Sequence, residues 1–183
     1  MRYAVATGRA LKLLPYVFVR PGEFRTALWT EFNLAGENPE WRLPAEKTKM
    51  RRAHIVPLSR QAVALVRQLQ AHTGKGPLLF PTQRDPSRPM SDNTLNAALD
   101  RLGYRDRQTA HGFRSSASTL LNEAGWHPDL IELQLAHKER NETRAAYNRA
   151  QRLAERRTMM QAWADALNSV KAGGSIRSLA KAA

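Results

Sequence analysis

The sequence predicts an α+β fold, mostly helical, with a small three-stranded antiparallel sheet near the front of the chain. Three observations lead there. Over most of the chain apolar residues recur three and four apart, the period of a helix with one buried face. Between Trp29 and Leu58 that period gives way to short extended pieces broken at Gly36 and at Asn38-Pro39. The composition of the 183 residues is ordinary, with 42% hydrophobic content, no cysteine, and ten glycines and ten prolines thinly spread. A chain of this size buries about 70% of its unfolded surface, enough for one core without a disulfide or metal staple.

The first helix is expected over residues 6–19 from the spacing of Ala10, Leu13, Leu14, Val17 and Phe18. Pro15 kinks or delays it, because proline lacks the N–H that a helix interior uses. Arg20-Pro21-Gly22-Glu23 opens a turn and a short helix that ends by Leu28. Strands follow at residues 29–34, 41–43 and 54–58. The loop between the last two carries Lys47, Lys49, Arg51 and Arg52, a positive tip on a hairpin. Ser59 caps an amphipathic helix whose apolar face is Ala62, Val63, Leu65, Val66 and Leu69 and which stops before Gly74. Four prolines make residues 75–90 a loop, which Leu78-Leu79-Phe80 pins to the core. Ser91 caps a helix through Leu102, ended by Gly103. Another runs from Thr109 or His111 to Ala124, with Phe113, Ala117, Leu120, Leu121 and Ala124 on its stripe and Gly125 as its stop. Pro128 starts a short helix through Leu135, and a long one over residues 151–170 presents Leu153, Met160, Trp163 and Leu167. Gly173-Gly174 loosens what remains, so residues 171–183 are expected to be a flexible tail.

Charge narrows the function. Lysine and arginine total 29 against 16 acidic residues, for a net charge of +13, and 22 of the 29 are arginine. Divided at residues 60 and 120, the chain carries +6, +4 and +3, so a folded basic surface rather than one tail holds the excess. The expected partner is a polyanion. Nucleic acid comes before membrane, because no helix joins a basic face to a broad exposed apolar one. Arginine's bidentate fork points to phosphate. The missing cysteines exclude Cys nucleophiles, zinc ribbons and iron–sulfur clusters, and fit a reducing, cytoplasmic setting. The longest apolar stretch, residues 13–19, is far short of the ~20 residues a bilayer requires, and no signal peptide is expected.

Several features carry candidate chemistry, each with an ordinary structural reading beside it. His111-Gly112-Phe113-Arg114 puts an imidazole and a guanidinium on one helix face, within reach of one phosphate. In a chain this rich in arginine, the same spacing also arises as a surface or capping pair. Arg20 with Glu23 is a structural ion pair, or a carboxylate that aims an arginine fork at an anion. Lys49 is a solvated charge or a cation delivered into a site. His137 ends the run Leu133-Gln134-Leu135-Ala136, as a satisfied boundary histidine or a functional one. Ten residues on, Tyr147 stands between Arg144 and Arg149, as an interface residue or a nucleophile.

Taken in order, Arg, Lys, His-x-x-Arg, His and Tyr at these spacings resemble the catalytic domain of the tyrosine recombinases, the phage integrase family, from about Ala6 to Leu167. Arg20-Pro21-Gly22-Glu23 resembles the family's first arginine box. Lys49, eight residues before Pro57, resembles its hairpin lysine. His111 to Arg114 resembles the second box, and Leu135-Ala136-His137 with Tyr147 the third box and nucleophile. The wording Ala53-His54-Ile55-Val56-Pro57-Leu58-Ser59 points to the prophage and genomic-island branch. The chain departs from the pattern in having Ala136 where many members carry glycine, and ten rather than nine residues from His137 to Tyr147. The family's core-binding and arm-binding domains do not precede Met1, so residues 1–170 are expected to be an excised or truncated catalytic domain.

The resemblance implies metal-free phosphoryl transfer to double-stranded DNA at attachment sites, with no cofactor. Tyr147 would attack the scissile phosphate to give a 3′-phosphotyrosyl link. Arg20 and Arg114 would hold the non-bridging oxygens, and Lys49 would protonate the leaving 5′-oxygen. His111 would assist proton transfer at the tyrosine and His137 would bond the phosphate, in roles that can be interchanged. Glu23 would support Arg20, while Lys47, Arg51, Arg52, Arg144 and Arg149 would contact DNA. A homotetramer is expected in the full-length synaptic complex, at the bacterial nucleoid, and a monomer for this domain alone. A basic DNA-binding module without catalysis explains the charge equally well, and a type IB topoisomerase shares the chemistry. A metal-dependent nuclease needs a ligand cluster, and histidines at 54, 72, 111, 127 and 137 contain no His-x-x-x-His.

Overall fold

The computed structural model describes residues 2–82, 84–137 and 152–179. Tyr147, Arg144 and Arg149 therefore lie outside the described residues. Helix α1 (Arg2–Leu13) gives way to a 3-10 turn, Leu14–Tyr16, where Pro15 ends the α-helical ladder. Helix α2 (Pro21–Arg25) follows. The sheet has strands β1 (Phe32–Asn33), β2 (Glu40–Leu43) and β3 (His54–Pro57) in the order β1-β2-β3, all antiparallel. Helices α3 (Arg60–Thr73), α4 (Thr94–Arg101), α5 (Gly112–Glu123), α6 (Pro128–Gln134) and α7 (Leu153–Lys171) complete the described residues. None of these helices is long and apolar enough to cross a membrane.

The α+β expectation holds, with differences at the edges. The first strand is only two residues, because Trp29–Glu31 form a 3-10 turn in which Glu31 reaches back to the Leu28 N–H. Ser59 caps α3 as expected, its hydroxyl accepting from Ala62 N–H. Ser91 does not cap α4; it bonds Thr94, the first helical residue, and the helix starts two residues later than expected. The expected flexible tail is packed as far as Leu179. That residue is buried, its carbonyl accepts from Trp126 Nε1 at 3.0 Å, and a 3-10 turn (Ile176–Leu179) folds back on α7. Leu179 and, in part, Ile176 pack on the second apolar cluster described below.

Two apolar clusters meet at the segment after Pro15. The first joins α1, α2, the sheet and α3 around Leu13, Phe24, Trp41, Val66 and Phe80. The second joins α5, α6 and α7 around Ala117, Leu121, Ile131, Met160 and Trp163. Val17 and Val19 belong to the first, whereas Phe18 between them belongs to the second. Phe18 sits at φ +58, a conformation that costs a bulky L-residue energy and that recurs at functional sites.

Candidate active site

Arg20 and Glu23 open α2. Proline at the first helical position suits the helix start, and Glu23 accepts the Arg20 backbone N–H at 3.1 Å, closing the N-terminus with an acidic side chain. Its other oxygen accepts from the Arg20 guanidinium at 3.2 Å and from the Lys49 backbone N–H at 3.2 Å. One buried carboxylate thus fixes both the arginine fork and the base of the hairpin tip. The Lys49 side chain is exposed, and its ammonium makes no hydrogen bond or ion pair with another described residue.

Arg114 lies in the first turn of α5 and is only 5% exposed. It donates to the Phe18 carbonyl, to the Leu135 carbonyl at 2.8 Å and to His137 Nε2 at 3.3 Å. Burial, and then the neighbouring Arg20 charge, lower its pKa to about 10, so it remains a cation at neutral pH. A buried cation held by neutral acceptors beside a second cation makes a strong field for an anion.

His137 is placed by the end of α6. Its backbone N–H bonds the Glu132 carbonyl at 3.1 Å, while Ala136 N–H bonds the Leu133 carbonyl at 3.2 Å. Together they form the paired closure of a Schellman C-cap, with Ala136 in the left-handed position at φ +49. Arg20 reaches the Ala136 carbonyl at 3.5 Å. Arg20, Arg114 and His137 therefore converge on the carbonyl end of one short helix, whose negative dipole end favours cations. His111, exposed at the start of α5, shares with Arg114, Ser115, Ser118 and His137 a cavity of about 270 Å³. A second cavity of about 390 Å³ lies between the hairpin and α6, bounded by Thr48, Met50, Arg52, His54 and His137.

Of the residues expected to contact DNA, Arg51 and Arg52 are exposed. Lys47 is engaged within the protein. It donates to the Thr26 carbonyl at 2.9 Å and pairs with the buried Glu31, which also accepts from Trp41 Nε1 at 2.9 Å. The 3-10 turn Ala45–Lys47 turns that side chain inward, and its charge is spent inside the protein. Among the described residues no three His, Cys, Asp or Glu side chains are grouped to hold a metal ion.

Sequence reasoning missed the polar hub beneath the site. Gln134 is fully buried; its side-chain oxygen accepts from Arg156 Nε at 3.0 Å and Nη2 at 2.8 Å, and its backbone carbonyl accepts from His54 Nε2 at 3.2 Å. Arg156 also donates to the Ile55 carbonyl at 2.5 Å. The hub ties α6 to β3 and α7. A glutamine inside an apolar run, and an arginine on the stripe of Leu153 and Met160, were its signals.

His54 has a pKa lowered to about 3, first by burial and next by Arg156. An unfolded histidine titrates near 6.5, so below that pH the unfolded chain binds a proton that the native protein refuses. Stability is therefore full above pH 7 and falls on acidification, by about 2 kcal/mol at pH 5 from this group alone. Urea unfolding between pH 7 and 5 checks this. The slope should flatten in His54→Gln, and equal slopes refute it.

The chain matches the model of the phage integrase family over residues 2–153. The chain belongs to the phage integrase family. Among curated relatives, this family member is 45% identical over 184 residues to the integrase of Enterobacteria phage P4, covering 91% of this chain and 41% of that protein. It is 43% identical over 157 residues to the prophage integrase IntA of Escherichia coli K12, covering 86% of this chain and 38% of that protein. With the prophage integrase IntZ of the same strain the identity is 44% over 165 residues, covering 90% and 40%. The chain thus spans about two fifths of the length of these relatives. No solved structure matches it. In this C-cap Ala136 at φ +49 is the strained choice, because the left-handed position favours glycine. Left-handed backbone costs an L-residue about 1–2 kcal/mol, partly offset by glycine's greater unfolded freedom. Ala136→Gly should stabilise the domain by roughly 0.5–1 kcal/mol. Thermal unfolding checks this, and an unchanged or lowered Tm would refute it.

Proposed function

We propose that this chain is the catalytic unit of a site-specific DNA recombinase that integrates or excises a prophage or genomic island, cleaving and rejoining strands through a 3′-phosphotyrosyl intermediate on Tyr147. The meeting of Arg20, Arg114 and His137 at the end of α6, with Glu23 linking Arg20 to the hairpin that carries Lys49, is the observation that carries the reading. The two guanidiniums suit the non-bridging oxygens of a phosphodiester, where charge builds as the nucleophile enters. In the step, the tyrosine oxygen bonds phosphorus and its proton passes to an imidazole, His111 or His137. The P–O5′ bond breaks and the leaving oxygen takes a proton from Lys49. Attack by another strand's 5′-hydroxyl runs the step in reverse with new connectivity. The names of the relatives, all integrases, favour recombination over topoisomerase-like relaxation.

The partner in this reading is duplex DNA at attachment sites, met by a +13 chain through Arg51, Arg52, Arg144 and Arg149. Working inside the cell at the nucleoid, the full-length protein assembles as a tetramer, and this domain alone is a monomer. The test is incubation with a nicked suicide duplex. A covalent protein–DNA band that persists in EDTA is expected. No band refutes the cleavage reading, and loss on chelation restored by magnesium replaces it with a metal site.

A further inference from the structure

We propose that Gln134 is a positioning residue for Arg114: by joining the backbone at Val17 to the end of α6, its side chain fixes the gap between the two carbonyls that hold the Arg114 guanidinium, and so aims that fork. This rests on the function proposed above, in which Arg114 faces a phosphate, and adds to it a residue from the core.

The Arg114 fork spans two segments that are far apart in the chain. It donates to the Phe18 carbonyl and, through Nη2 at 2.8 Å, to the Leu135 carbonyl. Gln134 stands beside both. It is the residue before Leu135, and its Nε2 donates to the carbonyl of Val17, the residue before Phe18, at 3.4 Å. The orientation of its amide is fixed from the other end. Arg156 donates to Oε1 from Nε at 3.0 Å and from Nη2 at 2.8 Å, and a guanidinium offers only donors, so the amide nitrogen faces Val17. The His54 ring donates to the Gln134 backbone carbonyl at 3.2 Å and ties the same residue to β3. Gln134 is fully buried and Arg156 nearly so, which keeps these bonds out of bulk water.

The segment that Gln134 grips is a strained one. Phe18 lies at φ +58, with its ring packed edge-on to Trp163 at 5.4 Å between centres in the second cluster, while Val17 and Val19 belong to the first. Such a residue keeps its conformation only where its surroundings over-determine it. Here the carbonyl before it is held by Gln134 and the carbonyl after it by Arg114. Without the Val17 bond the turn is free to shift the Phe18 carbonyl, and the guanidinium follows its acceptor. An apolar side chain of the same length would fill the space but offer nothing to the Val17 carbonyl or to Arg156. An arginine that must meet a phosphate in one geometry needs its supports held as firmly as itself.

The experiment uses the full chain and the nicked suicide duplex in single turnover, with Gln134→Glu and Gln134→Met. Gln134→Glu keeps an acceptor for Arg156 and removes the donor to Val17. Gln134→Met removes both at similar length, and if it fails to fold the glutamate variant carries the test. Both should cleave roughly 10–100-fold more slowly, the scale of a misplaced catalytic group, with DNA affinity within a few-fold of wild type. In an Arg114→Lys background, where the fork is already gone, the same substitutions should cost less than about threefold. An equal loss in both backgrounds, or wild-type cleavage by the folded variants, would overturn the proposal and leave Gln134 a role in stability alone. Side-chain ¹H–¹⁵N signals of Arg114, identified by their loss in Arg114→Lys, should shift or broaden in both variants, and unchanged signals would also overturn it. Absence of any adduct in the wild type would instead sink the recombinase reading, and the arginine spectra would still decide whether Gln134 aims Arg114.

Discussion

Tyr147→Phe is expected to abolish covalent attachment to DNA while leaving binding within a few-fold of wild type. The substitution removes one oxygen and no charge, so the phosphate attraction of a +13 chain is untouched. An unperturbed phenol titrates near pH 10, and generating its anion at pH 7 costs about 4 kcal/mol. The proposed site meets that cost with a proton acceptor and two guanidiniums. Without the oxygen nothing remains to activate, and the adduct should fall by at least roughly 10³-fold, as when a nucleophile is deleted elsewhere. Gel analysis of a radiolabelled suicide duplex checks it. Of the other tyrosines, Tyr16 is tied to Asn168 at 3.0 Å and burial raises its pKa, which suits it poorly to attack. Tyr104 is exposed beneath the Arg107 guanidinium. An adduct that persists in Tyr147→Phe would move the nucleophile, with Tyr104 as the next to test.

Arg114→Lys is expected to cut single-turnover cleavage by about 10²–10³-fold, equivalent to about 3–4 kcal/mol of transition-state stabilisation. The charge survives, so a loss on this scale isolates geometry. Arg114 serves the Phe18 and Leu135 carbonyls and His137 at once. A lysine ammonium is a single nitrogen on a flexible stem and cannot span those acceptors while presenting a planar fork to phosphate. Leaving one of the two buried carbonyls unpaired should also lower stability by about 1–3 kcal/mol. Cleavage is therefore read at a temperature where circular dichroism shows the variant folded, and DNA affinity is read at the same salt. A variant that is folded, binds DNA normally and cleaves within tenfold of wild type would show that Arg114 is structural.

Much of the fold was legible because its signals are local. Ser59 reads as a cap since its hydroxyl meets an N–H three residues away, and Gly125 as a stop since it sits at φ +78. The pairing of Arg20 with Glu23 spans three residues and was anticipated for the same reason. Lys47 and Lys49 show where such reading ends. They stand two apart in one basic run, yet Lys47 is spent on the buried Glu31 while the Lys49 ammonium is exposed. Nothing within the run distinguishes them; the choice is made by a carboxylate from the turn before β1, which the sheet brings alongside.

By itself the sequence determined the element types, the basic surface, and the ordered set of arginines, histidines, lysine and tyrosine that marks the family. Each of these is a property of composition or of spacing over a few residues. Only the tertiary structure decided that Arg114 would bond the Phe18 carbonyl 96 residues away, that Arg20 would reach Ala136 across 116, and that Gln134 and Arg156 would lock α6 to β3 from below. Those partners are chosen where two apolar clusters pack against each other. A buried donor there must find an acceptor or lose more free energy than the contact supplies, and which acceptor is near depends on the packing of the whole domain.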